Sequence, residues 1–247
     1  MSGHSKWASI KHQKGVTDTR RGQLFTKLTR EIIIAAREGG GNPDMNFRLR
    51  LAIQKGRDNN MPMDNIDRAI KKGTGEIEGI TFTELTIEGY GPSGTAILVQ
   101  ALTDNRNRTV QEMRNVFSRQ GGNMGESGCV AWLFDNKGVI MLSAEGKDAD
   151  EVAMMAIDAG ADDVKVAEDH IEIYTKMEDL ETVRAALEKG KIEIASAEIS
   201  MIPKTLLALD EKTGTQVLRL LNKFEEMDDV QNVYSNADIP ESLLEEE

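Results

Sequence analysis

Residues 138–202 decide the fold, because the spacing of their apolar residues changes in a recognisable order along GVIMLSAEGKDADEVAMMAIDAGADDVKVAEDHIEIYTKMEDLETVRAALEKGKIEIASAEISMI. Short apolar runs predict four strands, at 138–143, 163–166, 171–175 and 197–202. Apolar residues at helical spacing predict two helices, at 149–159 and 180–188. The resulting order, β-α-β-β-α-β, is complete by itself and typical of a ferredoxin-like domain.

The segments on either side of this unit carry a second, interrupted set of elements. Before it, the sequence predicts strands at 82–88, 95–102 and 129–134 and a helix that carries Val110, Met113, Val116 and Phe117. After it come a helix at 215–227 and a strand at 230–234. Together they would form a second ferredoxin-like α+β domain, so we expect one domain to be inserted into the other.

The first 75 residues predict a three-helix bundle. Within 17–38 the apolar residues fall on one side of a helix, while the opposite side is cationic and includes an exposed Ile34. The apolar side consists of Leu24, Phe25, Leu28, Ile32, Ala35 and Ala36, and the cationic side of Arg20, Lys27, Arg30 and Arg37. Two more helices are expected near 44–57 and 62–72, the second opened by Pro62.

The fold class is therefore α+β, with the helical bundle followed by the two ferredoxin-like domains. The expected domains are a basic helical domain at 1–78, a discontinuous α+β domain at 79–134 and 206–239, an inserted acidic α+β domain at 135–205, and an acidic tail at 240–247.

Composition excludes several classes of protein. The chain has 247 residues, a net charge of −12 and 39% hydrophobic residues, which is enough for folded cores. Its apolar runs are too short to cross a bilayer, and its start has no apolar segment of a secretory signal. One cysteine, Cys129, allows neither an internal disulfide nor a cysteine-based zinc site. We expect a cytoplasmic protein.

The charge is divided unevenly along the chain. Residues 1–75 carry 15 Lys and Arg against 7 Asp and Glu, a net of +8, whereas residues 76–247 carry 15 against 35, a net of −20. A basic surface of this kind can attract a polyanion. The alternative is that the basic and acidic parts attract each other.

Two glycine-rich segments could suggest an enzyme. GYGPSG at 89–94 has the spacing of a dinucleotide loop, but it lies between two predicted strands, so a hairpin turn is the better interpretation. The loop at Gly125–Glu126–Ser127–Gly128 leads to Cys129, which we expect to be a buried strand residue. His170 is predicted to lie in a solvated turn. No catalytic residue, metal site or cofactor is predicted.

Nucleic-acid contacts are predicted in two further places. The start of the chain is free of acids and carries His4, Lys6, Trp7, Lys11, His12 and Lys14, which could grip phosphates and stack a base. The alternative is a flexible tail with Trp7 packed on the bundle. Arg106 and Arg108 lie at a strand-to-helix junction that suits phosphate, unless Asp104 or Asn105 caps the helix and the arginines pair with acids.

Motifs distributed along nearly the whole chain carry a family resemblance. They include GHSKW at 3–7, FTKL at 25–28, NMP at 60–62, RAIKKG at 68–73, GYGP at 89–92, ALTDNRNRT at 101–109, VAWLF at 130–134 and NADI at 236–239. Together they resemble the YebC family, named as probable transcriptional regulatory proteins and including mitochondrial translational activators. Ser9, Phe47 and Cys129 depart from the residues usual in that family, and only Ser9 lies in a suspected contact segment.

The resemblance implies a helical domain followed by two α+β domains, and a non-enzymatic, nucleic-acid-binding regulator of gene expression. The family label favours DNA. On physical grounds we favour structured RNA or the ribosome, because the chain has no clear helix-turn-helix and its net charge opposes scanning of duplex DNA. The alternative is an enzyme with a nucleotide or phosphate site at the loops that begin at Gly89 and Gly125. The acidic inserted domain would suit a protein partner.

Overall fold

The computed structural model describes residues 18–243, except for the side chains of residues 18–20 and 241. It divides into two compact units. One is Phe134–Ile202, and the other combines the described residues before and after it. The α+β class, with helices first and sheet-containing parts after them, is confirmed. No described helix is long and apolar enough to span a membrane.

Three helices open the described chain: α1 (Asp18–Gly39), α2 (Phe47–Asp58) and α3 (Met63–Gly73). Asn46 joins the first two, because its side chain accepts the Leu49 N–H and donates to the Ala35 and Gly40 carbonyl oxygens at 2.7 and 2.8 Å. Gly73 allows α3 to approach α1 closely, since a Cβ there would lie 2.4 Å from the Ile33 carbonyl oxygen.

The prediction that Ile34 is exposed is wrong, because its side chain is fully buried in the helical core. α1 is apolar on all sides from Ile32 to Ala36. The same core takes in Phe82 and Leu102, which belong to the sheet-containing part of this unit. The helix is therefore covered by that part as well as by α2 and α3.

The sheet of this unit contains β1 (Thr83–Tyr90), β2 (Ala96–Thr103), β3 (Asn123–Met124) and β9 (Val230–Ser235), in the order β3-β1-β2-β9. The antiparallel β1–β2 hairpin occupies its centre. Two helices pack on it, α4 (Arg106–Arg119) and α7 (Glu211–Glu225), and the rings of Phe117 and Phe224 meet edge to face at 4.7 Å. A short parallel pair, β8 (Leu207–Ala208) and β10 (Ala237–Asp238), flanks α7.

The inserted unit contains the predicted six elements in the predicted order. They are β4 (Phe134–Ser143), α5 (Ala149–Asp158), β5 (Asp163–Val166), β6 (His170–Thr175), α6 (Leu180–Lys189) and β7 (Ser196–Pro203). The strand order, β5-β6-β4-β7, puts the first and third strands of the unit at its centre, which is the ferredoxin-like arrangement.

Two local predictions are wrong. The expected strand at 129–134 is a turn that ends in a 3₁₀ segment, Ala131–Leu133, and Cys129 is half-buried within that turn. His170 does not lie in a solvated turn. It is buried at the start of β6, where Nδ1 lies 2.6 Å from Asp169 Oδ1 and Nε2 lies 3.4 Å from Glu172 Oε1.

Candidate nucleic-acid interface

Several predicted contact residues lie outside the described residues, namely His4, Lys6, Trp7, Lys11, His12 and Lys14. Arg20 lies in α1, but its side chain is outside the described set. Their contact with nucleic acid stays a prediction.

Three cations of the predicted face of α1 contact the sheet-containing part of the same unit. Lys27 Nζ donates to the Glu225 carbonyl oxygen at 2.7 Å, and the exposed Arg37 donates to the Phe82 carbonyl oxygen at 2.7 Å. The Arg30 side chain is only 16% exposed. These contacts hold α1 to the sheet-containing part. For Arg30, attraction between the basic and acidic parts of the chain is therefore a better explanation than contact with a phosphate.

Asp229 is the acid that holds Arg30. It is buried directly before β9, and its Oδ1 accepts from Arg30 at 2.6 Å. Its Oδ2 accepts from Arg108 at 2.7 Å and from the Thr109 hydroxyl at 2.6 Å. Burial alone would raise the pKa of Asp229, but the Thr109, Arg108 and Arg30 donors hold it below its ordinary value.

Arg108 is therefore part of a structural cluster, whereas Arg106 is not. Arg108 also pairs with Asp104 at 2.9 Å, and Asn105 caps α4 by accepting the Arg108 N–H. This is the alternative that the sequence left open. Arg106 is exposed and has no ion pair with any residue from 18 to 243.

The outward side of α4 carries a polar surface that sequence reasoning missed. Arg114 and Arg119 are exposed there and make no ion pair within the described part of the chain. Amide and hydroxyl side chains surround them, and Glu112 is the one acid on the helix. A helical projection of 106–119 would have found the set that we call the α4 polar face: Asn107, Gln111, Arg114, Asn115, Ser118 and Arg119.

The loop at 125–128 gives its last backbone amide, that of Gly128, to a carboxylate of the protein itself. The buried carboxylate of Glu88 accepts the N–H groups of Gly128 at 2.6 Å, Val130 at 2.8 Å and Ala131 at 2.7 Å. Burial alone would raise the pKa of Glu88, but these three donors lower it below its ordinary value. Glu88 therefore binds the end of this loop and the turn that follows it.

The glycine loop that begins at Gly89 is a hairpin turn, as its position between two strands predicted. Tyr90 pairs with Ala96 across it, and no helix N-terminus follows. A cleft of about 330 Å³ beside α4 is lined by Glu112, Asn115, Val116, Arg119 and Met227, which include no pair of nucleophile and base. Within residues 18–243 no group of His, Cys, Asp and Glu could hold a metal ion.

Comparisons with known proteins cover almost the whole chain. Residues 5–76 match the TACO1/YebC N-terminal domain, and residues 82–237 match the second and third domains of the same proteins. A probable transcriptional regulatory protein of Dehalococcoides mccartyi is 59% identical over 99% of this chain and 98% of its own length. One from Desulfosudis oleivorans is 55% identical over 99% of this chain and all of its own.

A solved structure gives the same result. The crystal structure of a conserved hypothetical protein from Aquifex aeolicus is 50% identical in sequence, with a TM-score of 0.87 over 95% of this chain and 97% of that one. Two family matches in sequence order, relatives above 50% identity and a shared fold leave one conclusion: the chain belongs to the TACO1/YebC family.

Proposed function

We propose that this protein is a non-enzymatic regulator of gene expression that binds nucleic acid, with structured RNA or the ribosome preferred over duplex DNA. The name of its relatives, probable transcriptional regulatory protein, supports a regulatory role. Translation is the process that we favour, because it supplies structured RNA as the binding partner.

The α4 polar face is the observation that carries the proposal. Arg114 and Arg119 are exposed cations in a molecule whose net charge is −12, and their neighbours on the helix are amides, a hydroxyl and one acid, Glu112, which lines the same cleft as Arg119. Arginine, asparagine, glutamine and serine are the side chains that contact phosphate, sugar and base edges.

The charge distribution disfavours a partner that is held by phosphate contacts alone. Duplex binders gain nonspecific affinity from an extended cationic surface, whereas residues 76–247 of this chain have a net charge of −20. The exposed side of α3 also mixes Asp64 and Asp67 with Arg68 and Lys71, which is unfavourable for a helix in a major groove. A folded RNA offers shape and unpaired bases as well as phosphates.

The α4 polar face is tested by removing its charges. The Arg114→Gln/Arg119→Gln variant should bind a structured RNA more weakly at about 150 mM salt, and the slope of log K against log salt should flatten by about 1.4 if each arginine neutralises one phosphate. Fluorescence anisotropy of a labelled RNA at several salt concentrations measures both quantities.

The matched control removes two exposed charges from the inserted unit. Lys176→Gln/Lys189→Gln changes the net charge by the same amount but should leave the slope within about 0.3 of the wild-type value, since it takes no phosphate contact away. Equal slopes for the α4 variant and the wild-type protein would remove this helix from the interface.

A further inference from the structure

Two aromatic residues are exposed to solvent on the unit that carries α4. Trp132 is 64% exposed and Tyr90 is 40% exposed, and no other aromatic side chain between residues 18 and 243 is exposed. Burial of a ring of this size stabilises a fold by about 1.5–3 kcal/mol, so exposed rings require another explanation.

Both rings are held by one backbone atom. The Tyr90 hydroxyl donates to the Cys129 carbonyl oxygen at 2.9 Å, and the Trp132 indole Nε1–H donates to the same oxygen at 3.1 Å. The two side chains are therefore neighbours with fixed polar ends. The exposed surface of both residues therefore lies on one part of the molecule.

The backbone beneath the rings is fixed from several directions. Tyr90 ends β1, where it pairs with Ala96 on one side and Asn123 on the other. The turn that carries Trp132 is held by Glu88, whose carboxylate accepts the N–H groups on both sides of Cys129. A rigid pair of rings loses little conformational entropy when a ligand binds.

We propose that Tyr90 and Trp132 form a stacking site for unpaired nucleobases, which rests on the proposed function and names the part of the RNA that binds there. Stacking on aromatic rings is the sequence-tolerant way in which proteins hold single-stranded bases. A duplex keeps its bases stacked inside, so this site distinguishes unpaired RNA from duplex DNA.

Two observations favour a base over a protein side chain. The one donor hydrogen of each ring is already bonded to Cys129, so neither ring can donate the hydrogen bond that tyrosine and tryptophan usually add to protein interfaces. Lys204 Nζ donates to the Trp132 carbonyl oxygen at 2.9 Å, which places a cation next to the Trp132 backbone, where it can contact a phosphate.

The rings and the α4 polar face lie on different faces of the sheet. Gly89 faces Phe117 of α4, and successive residues of a strand point to opposite faces, so Tyr90 points away from that helix. The stacking site is therefore a second contact, which is tested separately from the α4 polar face.

The test uses the full chain with Trp7→Phe, so that Trp132 is the one remaining tryptophan. The probes are a 12-nucleotide oligouridylate and an abasic strand of the same length and charge. Oligouridylate should quench the Trp132 fluorescence, and the abasic strand should not. Trp132→Ala in the wild-type background should weaken oligouridylate binding by about 5- to 150-fold for one stacked base and leave abasic binding unchanged.

Tyr90→Phe is the matched variant, because it keeps the ring and removes only the bond to Cys129. It should cost less affinity than Trp132→Ala. The stacking site would be overturned if anisotropy showed RNA binding that neither quenches the Trp132 fluorescence nor weakens in Trp132→Ala. The proposed function would remain intact. Absence of RNA binding by the wild-type chain would overturn both. The site would also be overturned if added protein that contains no RNA quenched the Trp132 fluorescence while Trp132→Ala left the RNA affinity unchanged. The rings would then bind a protein partner.

Discussion

Replacing Asp229 with asparagine is expected to lower the free energy of unfolding by about 3 kcal/mol. The carboxylate holds Arg30, Arg108 and Thr109 together, and a neutral amide would leave the enclosed Arg30 guanidinium without its counter-charge. The lower end of the range for a broken buried pair applies, because the Arg108 side chain is 43% exposed and can be solvated. Urea denaturation at pH 7, followed by tryptophan fluorescence, measures the change.

Asp228→Asn is the control for this variant. Asp228 is exposed, and only its carbonyl oxygen contacts Arg30, so its substitution should change stability by less than about 0.5 kcal/mol. Because the pKa of Asp229 is lowered in the folded state, its stabilising contribution is complete above the ordinary carboxyl pKa and is lost as pH falls through the lowered value. Equal denaturation midpoints for the two variants would show that the Asp229 cluster does not hold α1 in place.

Replacing Glu88 with glutamine is the second substitution with a large expected effect, a loss of about 3 kcal/mol. The carboxylate accepts three backbone N–H groups through two oxygens, whereas glutamine has one oxygen and would turn an NH₂ group toward at least one of those donors. Each buried donor left without an acceptor costs roughly 1–3 kcal/mol. Thermal and urea unfolding of the full chain measure the loss.

Glu126→Gln provides the matched control, because Glu126 lies in the same loop with its side chain in solvent. The pKa of Glu88 is lowered in the folded state, as is that of Asp229, so its contribution to the free energy of unfolding is also lost as pH falls. The difference in free energy of unfolding between the wild-type chain and Glu88→Gln should therefore shrink below about pH 4. A Glu88→Gln chain as stable as Glu126→Gln at pH 7 would contradict this role. It would also leave the Trp132 turn without the anchor described above.

Periodicity predicted the inserted unit well, since its strands and helices pack against elements of the same unit. Ile140, Leu142, Ile171 and Ile173 are buried at strand spacing, and Val183 and Leu187 at helical spacing. Their partners lie within a segment of about 70 residues, so local pattern and final packing agree.

Long-range contacts explain the predictions that are wrong. Nothing near Arg30 indicates that Asp229 will pair with it, and nothing near Val130 indicates that Glu88 will bind the backbone of its turn. The run at 129–134 has the apolar content of a strand, but the N–H groups of Val130 and Ala131 bond to that carboxylate instead of to a neighbouring strand. Side chains that bond to distant backbone leave no periodic signal.

The preference for RNA over duplex DNA is tested most directly by sedimentation of a lysate, from cells that contain the chain, through a sucrose gradient at about 150 mM salt. At this ionic strength weak phosphate contacts are largely screened, so the fractions report specific binding. The protein is expected to travel with ribosomal particles and to return to the top of the gradient after ribonuclease treatment. Absence from every ribosomal fraction, together with protection of one duplex DNA site by the purified protein, would contradict the account.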